Sequence, residues 1–159
     1  MTKELAGRRM TAEIDGDFVV FLIGARFNSK LDIARSFLDL GGRRGMTYML
    51  DYLVAHPEKG LLAYELGLPT IVQYWRSFAH LEAFANSRED PHADAWRKYW
   101  RRVGRSGRTG IWHETYLVKA GQYEAVYGNM PAHGLGKAGR LVPAGESSTA
   151  RLRVEQASV

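Results

Sequence analysis

Apolar side chains occupy both alternations of residues 17–28. Phe18, Val20, Leu22, Gly24, Arg26 and Asn28 point to one side of an extended chain, and Val19, Phe21, Ile23, Ala25 and Phe27 point to the other. Both sides are apolar for most of this length, which predicts a central strand covered on both faces. Arg26 and Asn28 turn one side polar near its end. The period then changes. Residues 30–40 carry Ile33, Phe37, Leu38 and Leu40 at helical spacing until Gly41-Gly42 interrupts them. Residues 46–55 resume the helix with Met46, Met49, Leu50 and Leu53 on one side, and residues 56–60 stop it. Residues 61–66 and 70–75 are short strands joined by Gly67-Leu68-Pro69, close enough to pair as an antiparallel hairpin.

Ser77 stands where a side-chain oxygen caps a helix. Behind it, Phe78, Leu81, Phe84 and Ala85 form one apolar stripe. Residues 86–91 break that helix, and residues 92–103 carry Trp96, Tyr99, Trp100 and Val103 along the next. After a basic, glycine-containing turn, residues 110–118 read as a fourth strand and residues 122–127 as a short extra one. Residues 129–142 are glycine-rich but keep Met130, Leu135, Leu141 and Val142, so they are expected to pack irregularly on the domain. The order β-α-β-β-α-β is the split βαβ, ferredoxin-like arrangement of an α+β protein. Helices on one face leave the other face of the sheet bare, and a twofold homodimer covers it most simply.

At 159 residues, the chain makes about one domain. Residues 16–143 are read as that domain, residues 1–15 as a flexible N-terminal arm and residues 144–159 as a flexible C-terminal tail. The lack of cysteine excludes disulfides, thiolate metal sites and cysteine nucleophiles, and fits a cytoplasmic protein. No apolar run approaches the roughly 20 residues of a membrane span. The net charge of +5 concentrates in Arg97, Lys98, Arg101, Arg102, Arg105 and Arg108. No nucleic-acid motif accompanies them, so a solvated helix face is expected and nucleic acid is not.

His113 is the sharpest chemical candidate. It lies in a strand between Trp112 and Glu114, and its imidazole can bind haem iron, move a proton or serve as a structural hydrogen-bonding group. Trp75, Trp112, Phe84, Tyr74 and Tyr116 are expected either to line an apolar pocket or to form plain core. Arg26 and Glu114 are expected near the pocket mouth, as an ion pair or as groups that meet a substrate carboxylate or enolate. Gly134-Leu135-Gly136-Lys137-Ala138-Gly139 lacks the spacing of a nucleotide loop. No histidine or carboxylate cluster argues for a catalytic metal.

Four segments carry a family resemblance: Phe18-Val19-Val20-Phe21-Leu22-Ile23-Gly24, Pro69-Thr70-Ile71-Val72-Gln73-Tyr74-Trp75-Arg76-Ser77, Gly110-Ile111-Trp112-His113-Glu114-Thr115-Tyr116 and Asn129-Met130-Pro131. Together with Gly134-Leu135-Gly136-Lys137-Ala138-Gly139-Arg140, they make residues 12–143 resemble a monooxygenase-like family of bacteria and fungi. That family is similar to the dimeric α+β-barrel superfamily of antibiotic-biosynthesis and haem-degrading monooxygenases, chlorite dismutases and aldoxime dehydratases. A more distant likeness is to spheroidene monooxygenase, a haem-linked carotenoid oxygenase. The resemblance implies a homodimeric monooxygenase acting on an apolar or aromatic small molecule, either cofactor-independent or haem-dependent. A non-catalytic ligand- or haem-binding dimer is the alternative. Under the haem reading, His113 or His92 is the cofactor ligand. The asparagine-tryptophan-histidine set of haem-degrading relatives is not reproduced: Phe84 stands where they use tryptophan, and Asn28 substitutes for the asparagine or closes a turn.

Overall fold

The doubly apolar segment is β2 (Phe18–Phe27), and it runs through the middle of a four-stranded sheet. The computed structural model describes residues 7–28, 33–42, 45–103, 107–145 and 149–157. β2 pairs antiparallel with β4 (Thr70–Trp75) on one side and β5 (Thr109–Val118) on the other. β3 (Leu61–Leu66) completes the order β3-β4-β2-β5 by pairing with β4. The expected hairpin is present, and the first and last strands of the split βαβ unit are neighbours.

Helices α1 (Ile33–Asp39), α2 (Met46–Ala55), α3 (Phe78–Asn86) and α4 (Pro91–Val103) supply the connections. Val19 of β2, Met49 and Leu53 of α2, Trp75 of β4, and Leu81 and Phe84 of α3 bury one another. Trp75 is fully buried and its indole N–H donates to Gln73 Oε1 at 2.9 Å, so the ring adds apolar area without an orphaned donor. Ser77 caps α3 as expected, accepting from the His80 N–H. Buried carboxylates tie the helices down. Asp39 accepts two bonds from Arg108, at 2.8 and 3.1 Å, and Asp90 accepts from Tyr52 at 2.6 Å and Lys59 at 2.9 Å.

The opposite face of the sheet is only half bare, which corrects the sequence reading. β1 (Arg9–Glu13) is the middle strand of a second, three-stranded sheet. Its partners are β6 (Tyr127–Gly128) and β7 (Arg140–Pro143), with the short helix α5 (Leu135–Ala138) between those two in sequence. Ala12, Phe18, Tyr127 and Leu135 are buried between the layers, with Val20, Tyr74 and Val118 against them. The segment read as a loose arm therefore contains a structural strand from Arg9 on, and residues 1–6 lie outside the described part. The extra strand expected at 122–127 shrinks to Tyr127–Gly128. Its earlier residues are held by side-chain bonds instead: Thr11 donates to the Ala125 carbonyl, and the Ile14 N–H donates to the Tyr123 hydroxyl.

The tail also differs from expectation. Ala144 is buried and its N–H donates to the Arg9 carbonyl at 3.0 Å. Beyond it, α6 (Ala150–Ala157) forms from residues of good helix propensity, and Arg153 pairs with Glu124. Among the described residues, no helix is long and apolar enough to cross a membrane.

Candidate functional site

Strand register decides which candidates meet. His113 pairs with Ile23 and therefore shares the helix-side face with Phe21, whose ring centroid lies 5.4 Å from its own. It is exposed there. Trp75 and Phe84 lie on the same side but deep in the core, with ring centroids 5.8 Å apart. His92, at the start of α4, rests on Phe84 at 5.8 Å, and its Nδ1 is 2.9 Å from the Ala85 carbonyl oxygen. Trp112, Glu114 and Tyr116 lie on the other face, opposite Gly24, Leu22 and Val20. The single pocket expected from the sequence is thus two places separated by the sheet.

Two further expectations change. Arg26 pairs with Gly110, four residues from Glu114 along β5, or about 13 Å at strand rise. The expected Arg26–Glu114 pair is replaced by a bond from the Tyr116 hydroxyl to Glu114 Oε2 at 2.6 Å. Asn28 closes the strand end. Its N–H and its Nδ2 donate to the carbonyls of Arg108 and Gly107, each at 2.8 Å.

The half-face that the small sheet leaves open has a defined shape. Leu22 and Val72 pair at its centre and are half-buried. Trp112 lies across Gly24 so closely that a Cβ on that glycine would come within 2.6 Å of the indole Nε1. The indole therefore makes a flat apolar platform, 39% exposed, with the Glu114–Tyr116 pair next along the strand. The bond to Glu114 holds the Tyr116 phenol above its ordinary range, so it stays a donor at neutral pH. At the β3 edge, Glu65 pairs with Val72, which places a second carboxylate in the same cross-sheet row as Leu22 and Glu114. That carboxylate is committed to α5. It accepts from the Gly134 N–H at 2.7 Å and Lys137 at 2.9 Å, with His133 Nδ1 at 3.1 Å. Burial pushes Glu65 up, but these donors outweigh it and hold the carboxyl below its ordinary range. Burial keeps the neighbouring phenols of Tyr74 and Tyr127 high.

Two clefts lie along β3 and beside the small sheet. One of about 620 Å³ runs along β3 between Leu53, Val54, Leu61, Ala63, Leu66 and Lys137. Another of about 450 Å³ lies by Glu13, Asp15, Phe18, Arg76 and Arg140. Neither His92 nor His113 lines either cleft. Among the described residues, no group of three or more histidines and carboxylates is placed to hold a metal ion.

The family model of the Monooxygenase af470-like proteins matches residues 18–135, from the start of β2 to the start of α5. The chain belongs to this family. The match spans the whole four-stranded sheet and its helices, and it bears out the resemblance carried by the strand segments. Within the family, monooxygenase af470 of Aspergillus fumigatus is 29% identical over 123 residues, covering 72% of this chain and 43% of that protein. The chain thus spans less than half the length of this curated relative. Among solved structures, an aldoxime dehydratase crystallised with butyraldoxime superposes with a TM-score of 0.58 at 18% identity, over 95% of this chain and 44% of that one. That likeness is one of fold, and it supports the α+β architecture.

Leu22, Val72 and Gly24 floor this candidate site, and the sequence pattern alone does not single them out. A signal for Gly24 was present: a glycine inside an apolar strand marks close approach by a neighbour. Glu65 gave no signal, because its role depends on α5, nearly 70 residues away.

Proposed function

We propose that this protein is a monooxygenase that takes an apolar small molecule on the open half-face and uses Glu114 as its base. The observation that carries this reading is the hydrogen-bonded Glu114–Tyr116 pair beside the Trp112 platform and the half-buried Leu22 and Val72. Side chains do not activate O₂, so the electrons come from the substrate or from a bound group. A substrate with a methylene between unsaturated groups meets the first condition. Glu114 removes one proton and leaves a delocalised carbanion, which reduces O₂. Conversion of that CH₂ to C=O releases four electrons, so one oxygen atom enters the product and the other leaves as water. Tyr116 orients the carboxylate, and covering the pair excludes water from it. The cover is a second copy of the chain laid over the open half-face, which makes the enzyme a homodimer.

Haem would supply O₂ activation for substrates without such a methylene. His92 has the side-chain geometry of a ligand in one respect, since its Nδ1 is tied to the Ala85 carbonyl. Its ring is nevertheless packed on Phe84, and the described clefts do not reach it. His113 lies in the open against Phe21. The residues around both histidines do not form a haem site.

Oxygen uptake with an activated apolar methylene compound, without added cofactor, tests the proposal. Glu114→Gln is expected to lower turnover at least about a hundredfold, the range of general-base removal, and Tyr116→Phe by less. Unchanged turnover in Glu114→Gln removes the base assignment. Turnover that appears only with added haemin, together with a Soret band lost in His92→Ala or His113→Ala, replaces it with the haem-dependent reading.

A further inference from the structure

Helix α4 carries Arg97, Lys98, Arg101 and Arg102 against a single carboxylate, Asp94. It buries Tyr99 and Val103. Trp96 and Trp100, one turn apart, flank that buried seam and remain 42% and 53% exposed. Trp96 stacks on Tyr99 and meets Trp100 edge to face with centroids 5.6 Å apart, so the indoles are braced from behind rather than enclosed. Each tryptophan is followed in sequence by an arginine, Arg97 or Arg101, whose position on the helix adjoins it on the solvent side. On the other flank, Arg102 donates to the Leu38 carbonyl at 2.7 Å, which brings the exposed Phe37 and Leu38 of α1 alongside. Asp94 is shared between Arg97 and Lys98, so the surface stays strongly cationic.

We propose that α4 and the adjoining end of α1 dock this protein on an anionic lipid surface. Indoles settle at headgroup level because one part of the ring is apolar and the N–H is wet, and guanidinium groups beside them reach lipid phosphates. Charge complementarity selects this occupant. A second copy placed on the same patch would oppose like charges. Nucleic acid would leave Phe37 and Leu38 without a partner. Binding is read without turnover, so its failure leaves the monooxygenase reading untouched.

Flotation of the full chain with phosphatidylcholine vesicles, with or without about a third phosphatidylserine, is the test. Binding is expected only with phosphatidylserine and is expected to fall as salt rises. Arg97→Gln with Arg101→Gln is expected to weaken partitioning about thirtyfold, from the usual contribution of a basic residue at such a surface. Trp96→Ala with Trp100→Ala is expected to weaken it as well, with circular dichroism confirming the fold. The exposed arginine pair keeps the test valid if the tryptophan pair does not fold. Absence of binding to the anionic vesicles overturns the proposal, and so does binding that both double variants retain. A short RNA that binds through the same residues when vesicles do not also overturns it. A wild-type dimer that becomes monomeric in the tryptophan pair assigns the patch to a second copy and overturns it too.

Discussion

Gly24 and Trp112 show how much of the site rests on one missing side chain. An added Cβ at Gly24 meets the indole at 2.6–2.8 Å, so the ring must move. Trp112 is 39% exposed and has solvent to swing into, so Gly24→Ala is expected to cost only about 1 kcal/mol of stability. The near-ultraviolet circular dichroism of the indole should change, and ligand affinity on that face should fall. An unchanged spectrum would mean that the ring does not lie on the strand. Asp39 is the contrasting case. Its carboxylate is buried, accepts two bonds from Arg108 and a longer one from Thr109, and has little room to relax. Asp39→Asn is expected to cost about 2 kcal/mol, the scale of a charged hydrogen bond, measured as a loss of unfolding free energy in urea. The residue types at both positions were plain in the sequence, but their partners were not. Nothing local to Gly24 names Trp112, and nothing local to Asp39 names Arg108.

At the scale of elements, β1 and α5 hold the second layer in place. β1 exchanges bonds with β6 and β7 and buries Ala12 against Phe18. Removing residues 1–13 should therefore lower the melting temperature by more than about 10 °C and expose the apolar side chains of Phe18 and Val20. A shift of only a few degrees would show that the second layer adds little. Glu65 is the main polar tie from β3 to α5, and its folded carboxyl titrates below its ordinary value of 4.5. Between those two values the unfolded chain binds the proton and the folded chain does not, so acid favours unfolding. The contribution of Glu65 is complete above 4.5 and is lost as pH falls through the folded value. The stability difference between wild type and Glu65→Gln should accordingly shrink on acidification from neutral to roughly pH 3. A constant difference across that range would mean that the α5 contacts do not depend on charge.

For the whole molecule, the second layer alters the expected dimer without removing its motive. It covers Phe18 and Val20 but leaves Leu22, Val72, Trp112 and Tyr116 at least partly open to solvent. A second copy on that half-face should bury on the order of 800 Å² per partner, the standard interface size. Light scattering on the eluting protein should then give twice 17.9 kDa, and Trp112→Arg should give the monomer. A wild-type monomer at micromolar concentration would leave the Glu114–Tyr116 pair in water and weaken the case for Glu114 as base.

Local pattern determined a good deal of this protein. The two apolar alternations of β2, the helical stripes of α2 and α3, the Ser77 cap and the order of the split βαβ unit are consequences of side-chain period and capping chemistry. These act over a few residues, so they can be read along the chain. The tertiary structure alone decided that Met10 pairs with Tyr127, that Arg26 faces Gly110 rather than Glu114, and that His113 is on the opposite side of the sheet from Arg26. Such choices depend on register between strands up to about 130 residues apart, and a one-residue slip sends every side chain of a strand to the other face. Whether an aromatic residue is core or platform follows from that register. Trp75 and Trp112 have the same chemistry, yet one is sealed beneath α3 and the other lies open across Gly24.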